Sequence, residues 1–197
     1  MVRRVLFVRV SANALTAAGK RHVDPNCTHA WNCSVLGRKR WLMLPPGPPP
    51  AGVFASADGG SVAQPVSLIE WYLNFYNETR RTRGNDLVEF TVGVGDVVFV
   101  PSGWWHAVLN MDECVAVTQN YVAQQTNLAR ALAFFKHKPD QVSGVPAHRK
   151  QGFYAEFSAA LAAHGTAVPA GAEEAAAPWS GLAKRLKPFT FGFDVAE

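Results

Sequence analysis

Residues 95–110 read GDVVFVPSGWWHAVLN, and this stretch decides the fold. Residues 97–100 are β-branched or aromatic and favour a strand, which ends at Pro101 because proline cannot donate to a central ladder. A stiff turn with two tryptophans follows, and His106 opens a second strand. A lone histidine beside large aromatic side chains is often a half-buried core residue. This stretch alone therefore leaves His106 open between core packing and metal binding.

A second motif, HVD at residues 22–24, changes the interpretation of His106. Side chains alternate along a strand, so His22 and Asp24 project to the same side, roughly 7 Å apart. Two such groups can reach one metal ion, although so short a pattern also recurs by chance. A third ligand from a distant strand is natural in a β-barrel, where early and late strands are neighbours. Two histidines and one carboxylate match the facial triad that binds non-haem Fe(II).

The composition fits one globular domain with a hydrophobic core. The 197 residues are 48% hydrophobic and carry a net charge of +4, which permits an anionic partner such as nucleic acid without arguing for one. Three cysteines without metal-like spacing indicate reduced thiols in an intracellular protein. No apolar run is long enough to cross a membrane, and the N-terminal segment predicts a strand over residues 4–10 rather than a signal peptide.

Residues 30–44 form the next predicted β region, and Gly37 divides it. Asn32 and Lys39 are an odd number of positions apart, so on one uninterrupted strand they would face opposite sides. A tight turn over residues 36–38, most simply a hairpin, lets both side chains point inward. The alternative for Lys39 is a solvated basic turn that it shares with its two arginine neighbours.

A helix inserted into the β region is predicted over residues 67–82. Ser67 and Glu70 have the spacing of a capping box, and apolar residues follow at helical spacing. The last turn carries a cluster of three arginines, Arg80, Arg81 and Arg83. These residues complement the helix dipole, and the alternative is contact with a substrate or nucleic acid.

Strands are also predicted over residues 87–92 and 114–122. A three-residue turn centred on Asp112 predicts a hairpin in which His106 faces Thr118, and opposed residues share a face. Asn120 follows on the same face two positions later. This register places Thr118 beside the candidate metal site.

The rest of the chain predicts helices over residues 127–138 and 151–164, a low-complexity linker, and a tail over residues 179–197 whose aromatic side chains suit docking. The predicted organisation has three parts. They are a barrel core over residues 4–123 that includes the inserted helix 67–82, C-terminal helices over 124–165, and a linker and tail over 166–197.

Several ordered motifs resemble a known family. They are HVDP at 22–25, Thr28, AWN at 30–32, GRKRW at 37–41, residues 95–110 and VTQN at 117–120. Together they resemble a JmjC-domain oxygenase of the arginine-demethylase and lysyl-hydroxylase (phosphatidylserine-receptor-like) branch, over roughly residues 4–145. The resemblance implies a mainly β fold, the double-stranded β-helix (jelly-roll or cupin) barrel, with an inserted helix and C-terminal helices. Relative to this family, the chain is expected to be truncated at its N-terminus.

The same resemblance implies Fe(II), 2-oxoglutarate as cosubstrate, and O2. His22, Asp24 and His106 would be the metal ligands and would act in catalysis through the iron. Four further residues would bind the cosubstrate: Asn32, Lys39, Thr118 and Asn120. The resemblance implies that Lys39 and Thr118 hold the distal carboxylate of 2-oxoglutarate, which agrees with the cost of burying a carboxylate without a cation and a hydroxyl. Cys27 and His29 are expected to be non-ligands, because the triad is already complete.

The implied activity is a dioxygenase that hydroxylates or demethylates lysine or arginine side chains of proteins. The expected partner is a protein substrate, such as a histone or an RNA-associated protein, in the nucleus or the cytoplasm, with the nucleus favoured by the resemblance. One alternative is a catalytically weak JmjC or cupin scaffold that binds protein or RNA. Another is a zinc or manganese cupin acting on a small molecule, which the Lys39 and Thr118 pair disfavours because it suits a dicarboxylate.

Overall fold

A computed structural model describes residues 7–11, 22–55 and 62–168 of the chain. The strands are β1 (Phe7–Ser11), β2 (His29–Leu36), β3 (Lys39–Leu44), β4 (Phe54–Ala55), β5 (Val62–Ala63), β6 (Val88–Val92), β7 (Val97–Val100), β8 (Trp105–Asn110) and β9 (Cys114–Tyr121). The helices are α1 (Leu68–Asn74), α2 (Tyr76–Arg83), α3 (Leu128–His137) and α4 (Phe153–Ala163). Within these residues, no helix is both long and apolar enough to span a bilayer.

Two antiparallel sheets form the body of the molecule. One has the strand order β1-β9-β2-β7 and the other has the order β6-β3-β8. A single bridge between His22 and His106 extends the second sheet beyond β8. The chain passes from one sheet to the other between β2 and β3, and again at each step from β6 to β9. The prediction of a mainly β jelly roll is confirmed.

Both predicted hairpins are wrong. Neither β2 and β3 nor β8 and β9 pair with each other, because each turn carries the chain from one sheet into the other. Thr118 lies opposite Asn32, and His106 lies opposite Met43. A connection of two or three residues can either close a hairpin or turn the chain into the other sheet, so the spacing could not distinguish the two. The register that paired His106 with Thr118 therefore fails.

The two corners pack against each other at one end of the barrel. The backbone N–H of Met111 donates to the carbonyl of Arg38 (2.9 Å), and the Arg38 guanidinium contacts the Asp112 carboxylate (2.7 Å). Gly37 sits between them with φ +76°, and a Cβ there would overlap the carbonyl oxygen of Glu113. A residue without a side chain is therefore required where the chain changes sheets.

Gly37→Ala is expected to destabilise the protein by roughly 2 kcal/mol or more, through left-handed strain together with a backbone clash. The matched control is Gly95→Ala, since Gly95 has φ +89° but nothing within 4 Å of the added Cβ. Urea unfolding of the two variants measures the difference. An equal loss of stability in both would show that the corner contact contributes nothing.

The space between the sheets is filled by an apolar cluster. Its buried members come from four strands: Ala30, Trp41, Met43, Val92, Val98 and Val100. Along β3, Lys39 is on the same face as Trp41 and Met43, so strand alternation points Lys39 into the barrel. The opposite face of the second sheet packs on α1 through Leu42 and Ala107.

The inserted helix is interrupted, whereas the sequence predicted one continuous helix over 67–82. Phe75 leaves helical geometry (φ −121°, ψ −12°) and separates α1 from α2. The Phe75 ring packs in the cluster under Trp71 and lies against Gly52, where no side chain could fit. Apolar periodicity continues through the break, so the pattern did not reveal it. The predicted capping box between Ser67 and Glu70 is present.

The arginine cluster at the end of α2 is used largely for local contacts. Arg83 donates to the carbonyls of Pro45 and Pro48 (3.5 and 3.1 Å) and so fixes the proline-rich connection after β3. Arg80 donates to the Tyr76 hydroxyl (3.2 Å). These contacts favour the structural interpretation of the cluster over substrate contact.

The C-terminal helices form a second apolar layer. Phe135 of α3 contacts Phe153 and Phe157 of α4 with ring centroids 4.9 and 5.3 Å apart. The tail over 179–197 and nearly all of the predicted linker lie outside the described residues.

Candidate metal centre

Three side chains that can bind a metal converge near the start of β8, at the other end of this strand from the two corners. His22, Asp24 and His106 each offer a ligand atom, and these atoms all lie within 4.8 Å of one another. Two backbone hydrogen bonds between His22 and His106 (3.2 and 3.0 Å) hold the two histidines side by side. Asp24 follows at the start of the short turn Pro25–Cys27. The structure thus brings together residues that are far apart in sequence.

The surroundings of His106 determine which of its nitrogens faces the site. The ring is 6% exposed, and Nδ1 lies 3.2 Å from the carbonyl oxygen of Trp104. A carbonyl can only accept, so this contact places the proton on Nδ1 and leaves a lone pair on Nε2. Such an arrangement orients a histidine for metal binding.

Asp24 gives the second indication that a cation belongs here. Its carboxylate is buried, and Oδ2 has no hydrogen-bond partner among the described residues. A buried carboxylate oxygen without a partner is costly unless a cation or a donor reaches it. With two imidazole nitrogens beside it, the donor set fits a divalent first-row metal such as Fe(II).

Cys27 and His29 also lie near the metal site, but their side chains make other contacts. Cys27 packs among apolar residues of α3, and burial raises the pKa of its thiol to about 11. His29 accepts from the N–H of Ser102 through Nδ1 (2.8 Å), and its Nε2 lies 2.9 Å from the Thr126 hydroxyl. Both ring nitrogens of His29 are therefore engaged within the protein.

Metal-free protein is expected to lose stability as the pH falls from about 6.5 to about 4. Burial, with a further contribution from His22, lowers the pKa of His106 from 6.5 to about 4. Within this window the unfolded chain binds a proton that the folded chain does not, so the free energy of unfolding decreases. Urea unfolding at several pH values, with a chelator present, measures the slope. His106→Gln should flatten it, and an unchanged slope in that variant would contradict the assignment.

Asn32 and Thr118 lie opposite each other on β2 and β9, deeper in the barrel. The Thr118 hydroxyl donates to the carbonyl of Trp31 (2.8 Å), whereas Oδ1 of Asn32 is buried without a hydrogen-bond partner among the described residues. Thr118 shares its face with the buried Cys114 and Ala116, so it does point inward although its pairing partner was mispredicted. An unsatisfied amide oxygen and a hydroxyl therefore line the same interior.

Lys39 is 7% exposed, which excludes the solvated-turn interpretation. Its neighbours do face outward, where Arg38 pairs with Asp112 and Arg40 pairs with Glu89. A buried lysine on the interior face supplies the cation that a dicarboxylate in the barrel would need.

Asn120 contacts the turn that follows Asp24. Its Nδ2 donates to the hydroxyl of Thr28 (2.8 Å), which in turn donates to the carbonyl of Pro25 (2.9 Å). Asn120 therefore braces the turn that follows Asp24 from the β9 side. A contact of Asn120 with the cosubstrate stays a prediction.

Two interior residues were not predicted. Asn110 is buried directly opposite Lys39, and it shares the inward face of β8 with His106. The Trp41 ring stacks 6.1 Å from the ring of His106, and its Nε1 is buried with no partner among the described residues. Counting in steps of two from His106 would have found Asn110, since side chains alternate.

Two histidines and a carboxylate inside an antiparallel jelly roll define a metal-binding barrel of the cupin class. The family described as "JmjC domain, hydroxylase" matches residues 14–121, and the chain belongs to this family.

Curated relatives agree with the family assignment. "Arginine-specific demethylase JMJ22" of Arabidopsis thaliana is 48% identical over 60% of this chain and 23% of its own length. "Bifunctional arginine demethylase and lysyl-hydroxylase psr-1" of Caenorhabditis elegans is 38% identical over 58% of this chain and 28% of its own length. "2-oxoglutarate and iron-dependent oxygenase JMJD4" of Homo sapiens is 32% identical over 59% and 27%. The chain thus spans about a quarter of the length of these relatives.

Among solved structures, the Drosophila melanogaster CENP-C cupin domain matches 59% of this chain and 58% of its own, with a TM-score of 0.33 and 8% identity. This likeness is too distant to carry an argument about fold or function.

Proposed function

We propose that this chain carries the catalytic barrel of an Fe(II)- and 2-oxoglutarate-dependent dioxygenase. The observation that carries the proposal is the convergence of His22, Asp24 and His106 on one point of a barrel whose interior also holds a buried lysine. The relatives support it, because they are named as a 2-oxoglutarate and iron-dependent oxygenase and as arginine demethylases.

The three ligands would hold the metal from one side and leave its other positions open. Bound iron would supply the oxidation, in which O2 and 2-oxoglutarate yield succinate and CO2 and one oxygen atom enters a substrate C–H bond. The Nδ1–H of His106, held by the Trp104 carbonyl, keeps the ring in the orientation for ligation. The Asp24 carboxylate would contribute a negative charge that offsets part of the positive charge of the metal ion.

The interior side chains would bind and orient the cosubstrate. The Lys39 ammonium would neutralise its distal carboxylate, and the Thr118 hydroxyl would turn from the Trp31 carbonyl to donate to it. Asn32 would donate to the cosubstrate from its amide nitrogen, since the oxygens of 2-oxoglutarate only accept. The apolar residues around them, including Trp41 and Met43, would exclude water and so strengthen these charge interactions.

The proposed substrate is a lysine or arginine side chain of a protein, because two of the relatives bear the names of an arginine demethylase and a lysyl-hydroxylase. Histones and RNA-associated proteins are the proposed protein substrates, and the nucleus is the proposed location. For the scaffold alternative, the basic cluster on α2 offers little support, since Arg80 and Arg83 are held by local contacts.

The test incubates the purified chain with Fe(II), ascorbate, 2-oxoglutarate and peptides that carry lysine or methylated arginine. Mass spectrometry is expected to show the gain of one oxygen on lysine, or the loss of a methyl group with release of formaldehyde on arginine. His106→Ala is the control and should give neither product. If the wild-type chain modifies no peptide while it still converts 2-oxoglutarate, the substrate class is wrong and the reaction class stands.

A further inference from the structure

The turn directly after Asp24 has an unusual backbone. Asn26 and Cys27 both lie in the left-handed region, with φ of 60° and 55°. Two consecutive residues other than glycine in this region are strained, and such a conformation persists only when its surroundings hold it. Contacts with the rest of the chain must therefore hold this turn, which lies next to the Asp24 carboxylate.

The first contact is a clamp between the Asn26 side chain and the backbone of Ser143. Nδ2 of Asn26 donates to the Ser143 carbonyl, and the Ser143 N–H donates to Oδ1 of Asn26, each at 2.9 Å. We call Pro25–Cys27, the turn after Asp24, the metal turn. Asn26 and Ser143 are 117 positions apart, so the clamp joins the metal turn to the segment that follows α3. The side chain of Ser143 takes no part in it.

The second contact is made to the carbonyl of Cys27. It accepts from Nδ2 of Asn127 (2.9 Å) and from the hydroxyl of Ser102 (2.8 Å), and both bonds are buried. Asn127 is itself held, because its Oδ1 accepts from the N–H of Ala123 (2.7 Å), and it is 1% exposed. Asn127 immediately precedes α3, so this bond also comes from the C-terminal helices.

Apolar packing completes the attachment. The Cys27 side chain is buried with residues of α3 and of the segment after it: Ala131, Phe134, Phe135 and Val142. All of these residues lie beyond residue 121, where the match to the JmjC family ends. Besides the bonds from Ser102 and Asn120, the metal turn is therefore held by a part of the chain outside the matched range.

We propose that the segment from Asn127 to Ser143 is a positioning element of the metal site, with Asn26 as the positioning residue on the metal turn. The clamp and the Asn127 bond hold the strained turn, and the strained turn aims Asp24 at His22 and His106. Without these contacts the turn relaxes to ordinary backbone geometry, and the carboxylate leaves the ligating position. The inference rests on the proposed metal site and concerns how that site is kept in shape.

The test compares Asn26→Ala with Ser143→Ala in the full chain. Asn26→Ala removes both bonds of the clamp, whereas Ser143→Ala changes the partner residue but leaves the backbone groups that form the clamp. Titration calorimetry with Mn(II) is expected to show affinity about tenfold weaker for Asn26→Ala, the loss typical when a residue that orients a metal ligand is removed. The visible absorption of bound Co(II), which reports ligand geometry, should change in Asn26→Ala and match the wild type in Ser143→Ala.

Asn26→Asp provides the conservative variant in shape, because it keeps the acceptor for the Ser143 N–H and replaces the donor by a carboxylate oxygen that faces the Ser143 carbonyl. It should fold and recover part of the Mn(II) affinity. If Asn26→Ala unfolds at a lower temperature but binds Mn(II) with wild-type affinity and an unchanged Co(II) spectrum, the residue is merely structural and the proposal is overturned. If the wild-type chain itself binds neither metal, the metal site fails, which is a distinct result.

Discussion

Asp24→Ala is expected to abolish metal binding and, at the same time, to raise the stability of the metal-free protein. The carboxylate is buried and one of its oxygens has no partner among the described residues, so without a metal it is a desolvated charge that costs free energy. Its removal relieves that cost and also deletes the anionic ligand. Thermal unfolding with and without Mn(II) measures both effects.

Wild-type protein should be stabilised by about 2.7 kcal/mol when Mn(II) is present at about one hundred times its dissociation constant. Asp24→Ala should show no such shift. The matched control is Asp112→Ala, which removes an exposed carboxylate paired with Arg38 and should keep the full response to Mn(II). A normal response in Asp24→Ala would remove this residue from the metal site.

Lys39→Met is expected to weaken the binding of 2-oxoglutarate by on the order of a hundredfold, since it leaves a carboxylate buried without its cation. Methionine is apolar and unbranched like the lysine stem, so the apolar packing around Trp41 and Met43 should be kept. Affinity for Mn(II) should not change, because Lys39 is not among the three residues that converge on the metal position. Calorimetric titration of 2-oxoglutarate into Mn(II)-loaded protein measures the loss.

Arg38→Met is the matched control for this prediction. Arg38 is the adjacent basic residue, but its side chain is 59% exposed and contacts Asp112 on the outside of the barrel. Its replacement should leave the affinity for 2-oxoglutarate as it was. An equal effect of the two substitutions would mean that net charge, and not a specific interior cation, governs the binding.

The closeness of His22 to Asp24 and the inward direction of Thr118 were predictable because they depend on local rules. The HVD motif puts two side chains on one face, and alternation along β9 sends Thr118 inward whichever strand it pairs with. The pairing itself was mispredicted, since the connections at Gly37 and Asp112 have hairpin length but turn the chain into the other sheet. Sequence spacing records how many residues connect two strands and does not record where the second strand goes.

Contacts between distant residues explain the other misses. The break at Phe75 follows from a ring that packs near Gly52, and the apolar pattern of the helix runs through it unchanged. The clamp between Asn26 and Ser143 uses one side chain and two backbone groups, so the sequence of the second partner carries no signal. Asn120 was placed on the correct strand face, but its bond to Thr28 depends on a turn whose shape the sequence did not predict.

We propose that His22, Asp24 and His106 hold the iron of a 2-oxoglutarate-dependent oxygenase. The formation of succinate from 2-oxoglutarate by the purified chain is measured with Fe(II), ascorbate and O2, beside His106→Ala under the same conditions. The wild-type chain is predicted to form succinate, and His106→Ala is predicted to fall to the level of the reaction without protein. Equal succinate formation by the two proteins would contradict the claim.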